Sequence, residues 1–377
     1  MRRMKTVIFI SNYFSHHQVA FSDMLWKITG GNYTFIETSK NTNKRQSLNK
    51  PSPLKPYVLA YWGNEDKVRK MVREADVVIS GSAYEPLVRE RVRTGKLLFR
   101  YSERPLKKGL EPWRYPDRFL RWHWRNPFWK PIYLLCASAY AEPDYRKFGL
   151  FRNKAYKWGY FPETKRYGVP EKLIASKDVT EILWCGRFLD WKHPDDALLV
   201  ARKLKTEGFR FRLKFIGTGV LEGHLKCLTQ EYGLKDCVCF SGKVSPEQVR
   251  EHMEKAGIFL FTSDQREGWG AVLNESMNSG CAVIASDAIG SVPYLLEDGD
   301  NGLIYESGNV GMLYEKVKYL LEHPQEQKRL GLAAYRTIAE VWNAELAAER
   351  FMMLAEQLLA EDRETVLFES GPCSKAD

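Results

Sequence analysis

Short apolar, β-rich runs alternate with stretches of helical spacing through almost all of this chain, and the alternation comes in two series. The first set of predicted strands covers 6–11, 33–37, 57–60, 76–80, 97–101 and 133–138; the second covers 181–185, 211–217, 237–242, 258–263, 282–286 and 302–305. Between them lie helical patterns at 18–28, 67–74, 194–205, 221–232, 246–255 and 272–279. Units of this size imply parallel sheets with helices on both faces. At 377 residues the chain is too long for one ordinary core. The series break near 160–178, where Gly159, Pro162, Gly168 and Pro170 punctuate a charged stretch without periodicity. The expectation is an α/β protein of two doubly wound, Rossmann-like domains, 1–168 and 178–340, with a cleft between them.

Several other classes are disfavoured. The seven cysteines form no Cys-x-x-Cys pair and sit mostly in apolar runs, which reads as reduced thiols in a cytoplasmic protein. Cys237 and Cys239 lack histidine partners nearby in sequence and make a poor zinc pair. The apolar run from Val7 to Ile10 follows Arg2, Arg3 and Lys5 but ends at Ser11-Asn12-Tyr13 with no cleavage site, so it reads as a strand. No apolar stretch is long enough for a transmembrane helix. The end, Glu369 to Asp377, has little to bury and is expected to be disordered.

Charge is unevenly placed. Residues 1–180 carry 35 Lys and Arg against 16 Asp and Glu, whereas 181–377 carry 22 against 31. A basic first half suits an anionic partner: nucleic acid, a membrane surface or a phosphorylated acceptor. Within it, 113–130 interleaves Trp113, Tyr115, Phe119, Trp122, Trp124, Phe128 and Trp129 with Arg114, Arg118, Arg121, Arg125 and Lys130. That mixture fits a membrane interface, or bases on which rings stack. The plainer reading is a helix that packs its rings inward and solvates its arginines.

Three segments of the second half carry candidate chemistry. In Gly186-Arg187-Phe188-Leu189-Asp190-Trp191-Lys192-His193-Pro194, two cations on a strand-end loop lead into a helix opened by proline. They can converge on a diphosphate. Gly217-Thr218-Gly219 permits close approach of backbone, to a ligand or simply in a tight turn. In Glu267-Gly268-Trp269-Gly270-Ala271-Val272-Leu273-Asn274-Glu275, two acids flank bare glycines at a helix start, where N–H groups favour an anion. The acids cannot stack as an i, i+4 pair, so each faces a different part of one extended ligand. Carboxylates accept well from sugar hydroxyls.

Taken in order, these segments, with Phe240-Ser241-Gly242-Lys243-Val244 and Gly280-Cys281-Ala282-Val283-Ile284, resemble the donor half of family-4 retaining glycosyltransferases of GT-B architecture over about 180–325. Glu267 and Glu275 match that family's Glu-x7-Glu pattern. The resemblance implies a donor site of Gly186, Arg187, Lys192, Gly217, Val244, Glu267, Gly268, Trp269, Gly270, Ala271, Val272 and Glu275. Arg187 and Lys192 would neutralise the diphosphate in place of a metal. Glu267 would hold the transferred sugar, Glu275 the ribose, and the Lys243-Val244 backbone would border the base. No metal or cofactor is implied; the nucleotide sugar is a substrate. The last helix, 344–361, would complete the first domain.

The first half departs from the family. The loop Ser11-Asn12-Tyr13-Phe14-Ser15-His16-His17-Gln18 has no glycine where many relatives have them. Asn12, His16, His17 and Gln18 become candidates for the acceptor side, with either histidine a proton relay near neutral pH. Where relatives often carry a histidine after a mid-domain strand, this chain has Ser102-Glu103-Arg104, making Glu103 or Ser102 the stand-in and a Glu103–Arg104 ion pair the structural alternative. The resulting expectation is a metal-independent, retaining hexosyltransferase. Its acceptor would be a saccharide or lipid-linked saccharide, as in cell-surface polysaccharide synthesis. It would be cytoplasmic or peripheral on the inner membrane face, with an anionic membrane surface as partner and no nucleic acid. A GT-B nucleotide-sugar epimerase is the alternative, and a nucleic-acid-binding protein a more distant one.

Overall fold

The computed structural model describes residues 5–40, 55–362 and 365–376. The chain divides into two compact units, one of 1–163 with 343–377 and the other of 164–342. Each is built on its own parallel sheet. In the first, β1 (Val7–Ser11), β2 (Tyr33–Glu37), β3 (Val58–Ala60), β4 (Val77–Ser80), β5 (Leu98–Ser102), β6 (Ile132–Cys136) and β7 (Ala155–Lys157) lie in the order β3-β2-β1-β4-β5-β6-β7. In the second, β8 (Asp178–Cys185), β9 (Arg212–Ile216), β10 (Val238–Phe240), β11 (Ala256–Phe261), β12 (Ala282–Ser286) and β13 (Leu303–Tyr305) follow β10-β9-β8-β11-β12-β13. Both orders reverse direction once, between β1 and β4 and between β8 and β11. At such a reversal the loops diverge and leave a crevice beyond the carboxyl ends of the strands.

Sequence explains the burial. β1, β6, β11 and β12 are apolar but for the last serine of β1 and β12, and buried at every residue, as strands covered on both faces must be. In the first unit Phe351 of the helix Ala344–Leu359 packs its ring 5.1 Å from Phe99, 5.9 Å from Trp158 and 6.2 Å from Phe21. That helix, although last in the chain, therefore belongs to the first unit's core.

Three elements differ from the sequence expectation. The helix Glu85–Thr94 was not legible, because its core-facing set includes Arg91. That guanidinium is fully buried, donating to the carbonyls of Val72, Ala75, Asp76 and Leu97, so it replaces an apolar residue in the periodic pattern. β7 is only three residues long. The chain end, expected to be disordered, is ordered from 365 to 376. It lies along β7, with Lys157 N–H donating to Ser374 O at 2.7 Å and Cys373 N–H to Lys157 O at 2.8 Å. Unpaired groups on the edge strand supply the partners that side-chain burial alone would not. Cys373 and Ser374 are buried as a result.

Candidate active site

In the second unit, four loops leave the carboxyl ends of β8, β9, β10 and β11 and are tied to one another by backbone. Gly186 N–H donates to Ile216 O, Phe188 N–H to Thr218 O, and Gly217 N–H to Gly242 O at 2.8–3.0 Å. The two glycines of 217–219 are explained by this contact. Gly217 has φ of 128°, and a Cβ there would overlap the Gly186 carbonyl; one on Gly219 would overlap the Phe188 backbone. Their requirement is loop against loop, which fixes where the 186–193 segment runs. A second clamp joins it to the loop after β11: Thr262 Oγ1 donates to Lys192 O at 2.6 Å and accepts from Trp184 Nε1 at 2.9 Å, while Asp264 N–H donates to Trp191 O at 3.0 Å.

These clamps bring Lys192 and Glu267 together at the β8/β11 reversal. Lys192 Nζ pairs with Glu267 Oε2, and Ser263 Oγ donates to the same oxygen at 3.2 Å. Both side chains are only 12% exposed, so the pair is poorly screened. Arg187 is exposed and, among the described residues, meets no acid. The loop's outer side is held by Arg266, which donates to Asp264 and Asp190 at 2.8 Å, and by His193 Nε2, 3.3 Å from Asp264.

Glu275 lies in the first turn of the short helix Val272–Asn278. Among the described residues its carboxylate meets no hydrogen-bond donor. Burial pushes its pKa up, with Arg250 opposing. The Cys185 thiol, pushed up to about 12 by burial, feels Glu275 next and is opposed by Lys192, so all three face one region. Trp269 is a different case. Its indole is fully buried and donates to Asn274 Oδ1 at 2.8 Å, so only its peptide can face a ligand. Gly270 has φ of 81°, and a Cβ there would overlap the Phe261 ring. Ala271 is buried; Val272 and Val244, beside the glycine-rich turns, are half-buried. Among the described residues His193, Asp195 and Asp196 bring three possible metal-ligand atoms within 4.8 Å. Asp196 is pushed up to about 6 by burial and then by Asp195. In the chain's one Asp-x-Asp sequence, Asp298-Gly299-Asp300, Asp298 is instead pinned by Ile304 N–H at 2.7 Å and Lys316 Nζ at 3.1 Å.

The first unit has its own cavity of about 950 Å³ at the carboxyl ends of β1, β4 and β5, lined by the glycine-free loop 11–18 and by the 100–107 segment. Glu103 sits in it, paired with Lys107 and accepting from Tyr160 Oη at 2.5 Å. The alternative Glu103–Arg104 pair does not form among the described residues: Arg104 donates to the buried Asp144 at 3.3 Å, and Lys107, four residues on across a turn, takes Glu103. Ser102 Oγ lies 3.1 Å from Tyr145 Oη. His17 stacks on Tyr160 at 5.9 Å, with Nδ1 enclosed and unpartnered. Burial, then the neighbouring His16, lowers its pKa to about 3. That shift favours the neutral imidazole in the folded protein. Gln18 and Asn12 are partly committed to the backbone. Gln18 Oε1 accepts from Ser15 N–H at 3.0 Å, and Asn12 Oδ1 accepts from Tyr13 N–H at 2.9 Å. Sequence reasoning missed Arg100, held by both oxygens of Glu85 at 3.0 and 3.3 Å, and Tyr160, hidden in the stretch read as a linker. The Ser15-x-x-Gln18 spacing was the readable sign that Gln18 caps a helix.

Residues 169–337 match the model of the family described as glycosyl transferases group 1. That stretch lies wholly within the second unit and covers nearly all of it. Among curated relatives, the amylovoran biosynthesis glycosyltransferase AmsK of Erwinia amylovora is 28% identical over 182 residues, 47% of this chain and 44% of its own length. The N-acetylgalactosamine-N,N'-diacetylbacillosaminyl-diphospho-undecaprenol 4-alpha-N-acetylgalactosaminyltransferase of Campylobacter jejuni is 34% identical over 157 residues, 41% of this chain and 40% of its own. The matched stretches thus span less than half of these relatives. Solved structures extend the likeness over nearly the whole chain at the level of fold. Anabaena HepE, solved with UDP, has a TM-score of 0.68 at 15% identity and covers 94% of this chain and 98% of HepE. The lipopolysaccharide outer core galactosyltransferase WaaB has 0.66 at 16%, covering 93% of this chain and 99% of its own. The two Rossmann-like units are those of the GT-B fold.

Proposed function

We propose that this chain is a retaining glycosyltransferase that moves a hexose from a nucleoside diphosphate sugar to a saccharide or lipid-linked saccharide in polysaccharide synthesis. The group 1 unit would hold the donor, and the cavity of the first unit the acceptor. Glu275 carries the reading. A half-buried carboxylate with no donor of its own among the described residues, beside the Lys192–Glu267 pair, suits the two hydroxyls of a ribose, which supply the missing hydrogen bonds. Arg187 and Lys192 would meet the diphosphate, and Glu267, released from Lys192 as phosphate takes the cation, would hold sugar hydroxyls.

In the reaction the bond from the sugar's anomeric carbon to the diphosphate breaks, and the acceptor oxygen bonds to that carbon on the same face. The acceptor's proton passes to the departing diphosphate. Arg187 and Lys192 stabilise the charge that develops there, which is the role a metal fills elsewhere. Acting through cations of its own, the enzyme needs no metal. That UDP occupies HepE makes UDP the first probe. The localisation proposed is the cytoplasmic side, peripheral to the membrane; among the described residues no helix is long and apolar enough to cross one.

Calorimetry with UDP and the other nucleoside diphosphates, beside steady-state kinetics, tests this. Glu275→Ala weakens nucleoside diphosphate binding by roughly one to two decades, the loss of about 1.5–3 kcal/mol from a charged hydrogen bond. Glu267→Ala leaves that binding nearly intact and lowers kcat, because it misplaces the reacting carbon. The opposite pattern, or wild-type behaviour in both, rejects the assignment. Chelator leaves turnover unchanged. Loss of turnover restored by manganese or magnesium would move the cation's role to His193, Asp195 and Asp196.

A further inference from the structure

The helix Tyr115–Arg125 buries none of its residues. Only part of it faces inward: the Trp122 ring lies 4.6 Å from Phe148 and 5.0 Å from Tyr145, and His123 Nε2 lies 2.8 Å from Phe148 O. The plainer sequence reading, rings packed inward, thus holds for Trp122 and for Tyr115, whose ring stacks 4.7 Å from Phe148, and fails for Trp113, Trp124, Phe128 and Trp129. Trp113 is 76% exposed, Leu120 70%, Trp124 54% and Phe128 73%. Leu120 and Trp124, four apart, lie on one stripe of the helix, and Trp113 stands in the 3-10 turn Pro112–Arg114 that leads into it. Arg114, Arg118, Arg121 and Arg125 recur at four, three and four, a second stripe beside the first. Arg118 Nη1 is enclosed with no acceptor among the described residues. Residues 105–130 hold seven Lys and Arg against two acids.

We propose that this face seats the first unit on an anionic lipid surface, and so presents the adjoining cavity to an acceptor borne on a lipid. The second clause rests on the glycosyltransferase reading; the first does not. A contiguous patch of exposed large apolar side chains marks an interaction surface. Rings and Leu120 enter the headgroup boundary while the neighbouring arginines meet lipid phosphates. A second copy of the chain would set arginine stripe against arginine stripe across a two-fold axis, which repels. Nucleic acid gives Leu120 nothing to stack on. Continuity supports the lipid: Trp122 and Asn126 line the cavity from the helix's inner side, and Arg125 of the arginine stripe reaches its rim.

The test is sedimentation of the whole chain with vesicles of phosphatidylcholine alone or mixed with phosphatidylglycerol. Retention is expected with the anionic vesicles and falls with salt. Arg118→Ser with Arg121→Ser lowers anionic partitioning by roughly 30-fold, the factor for two cations at about 1 kcal/mol each. Leu120→Ser with Trp124→Ser and Phe128→Ser lowers it at every salt concentration, with circular dichroism unchanged. No retention, equal retention by phosphatidylcholine, displacement by a single-stranded oligonucleotide, or indifference to the apolar substitutions overturns the proposal. UDP calorimetry on the same samples separates the two readings. Vesicle binding without UDP binding upholds the surface and rejects the donor site, and the reverse rejects only the surface.

Discussion

Glu275 places function and stability in opposition. Its pKa in the fold is raised above the ordinary 4.5 by burial, so between 4.5 and the folded value the native state binds more protons than the unfolded one. Stability then falls as pH rises through that window, and the cost is fully present above the folded pKa. Glu275→Gln removes a charge but keeps the shape. It is expected to raise Tm at pH 7, to leave Tm nearly unchanged at pH 4, and to weaken nucleoside diphosphate binding. Thermal melts across pH 4–8 beside calorimetry check this; a melt at pH 7 lower than wild type refutes it. Sequence identified the acid by its spacing from Glu267, but not that it lacks a partner, since that depends on which side chains the fold leaves out of reach. The same limit applies to Lys192 and Glu267. Each was assigned to a ligand separately, while folding pairs them, because residues 75 apart meet only once β8 and β11 lie side by side.

At the level of elements, the loops at the β8/β11 reversal act as one block because Gly217 and Gly219 let two backbones touch. Gly217→Ala is expected to cost at least about 1 kcal/mol, from a Cβ at positive φ and a forced shift of the Gly186 loop. It is also expected to weaken nucleoside diphosphate binding, although residue 217 need not touch the ligand. Denaturant titration and calorimetry measure both, and wild-type values in the two would reject the loop-contact account. Apolar periodicity made most strands legible here, since buried parallel strands such as β1 and β12 are nearly continuous apolar runs. It failed for Glu85–Thr94, where a charged residue occupies the core-facing position, and for β7, whose three residues are stabilised by a chain end more than two hundred positions away. Aromatic content likewise marked 113–130 without revealing which rings face outward; that follows from Tyr145 and Phe148 accepting only Trp122 and Tyr115 of these rings at close range.

For the whole molecule, the uneven division matters more than either sheet. The second unit is continuous, 164–342, whereas the first is closed by 343–377. Residues 164–342 produced alone are expected to unfold in a single cooperative transition and to bind UDP. Residues 1–163 alone are expected to show no cooperative transition until 343–377 is supplied as a separate piece. Calorimetric scans of the fragments decide it, and a cooperative melt of 1–163 alone would refute it. Phe351 gives this a consequence in time. On the ribosome, at about 5–20 residues per second, the second unit takes roughly 10–40 s to emerge. For that interval Phe21, Phe99 and Trp158 wait without the ring that closes over them, so the half synthesised first is the half finished last, and it is the nascent first unit that a chaperone would be found holding.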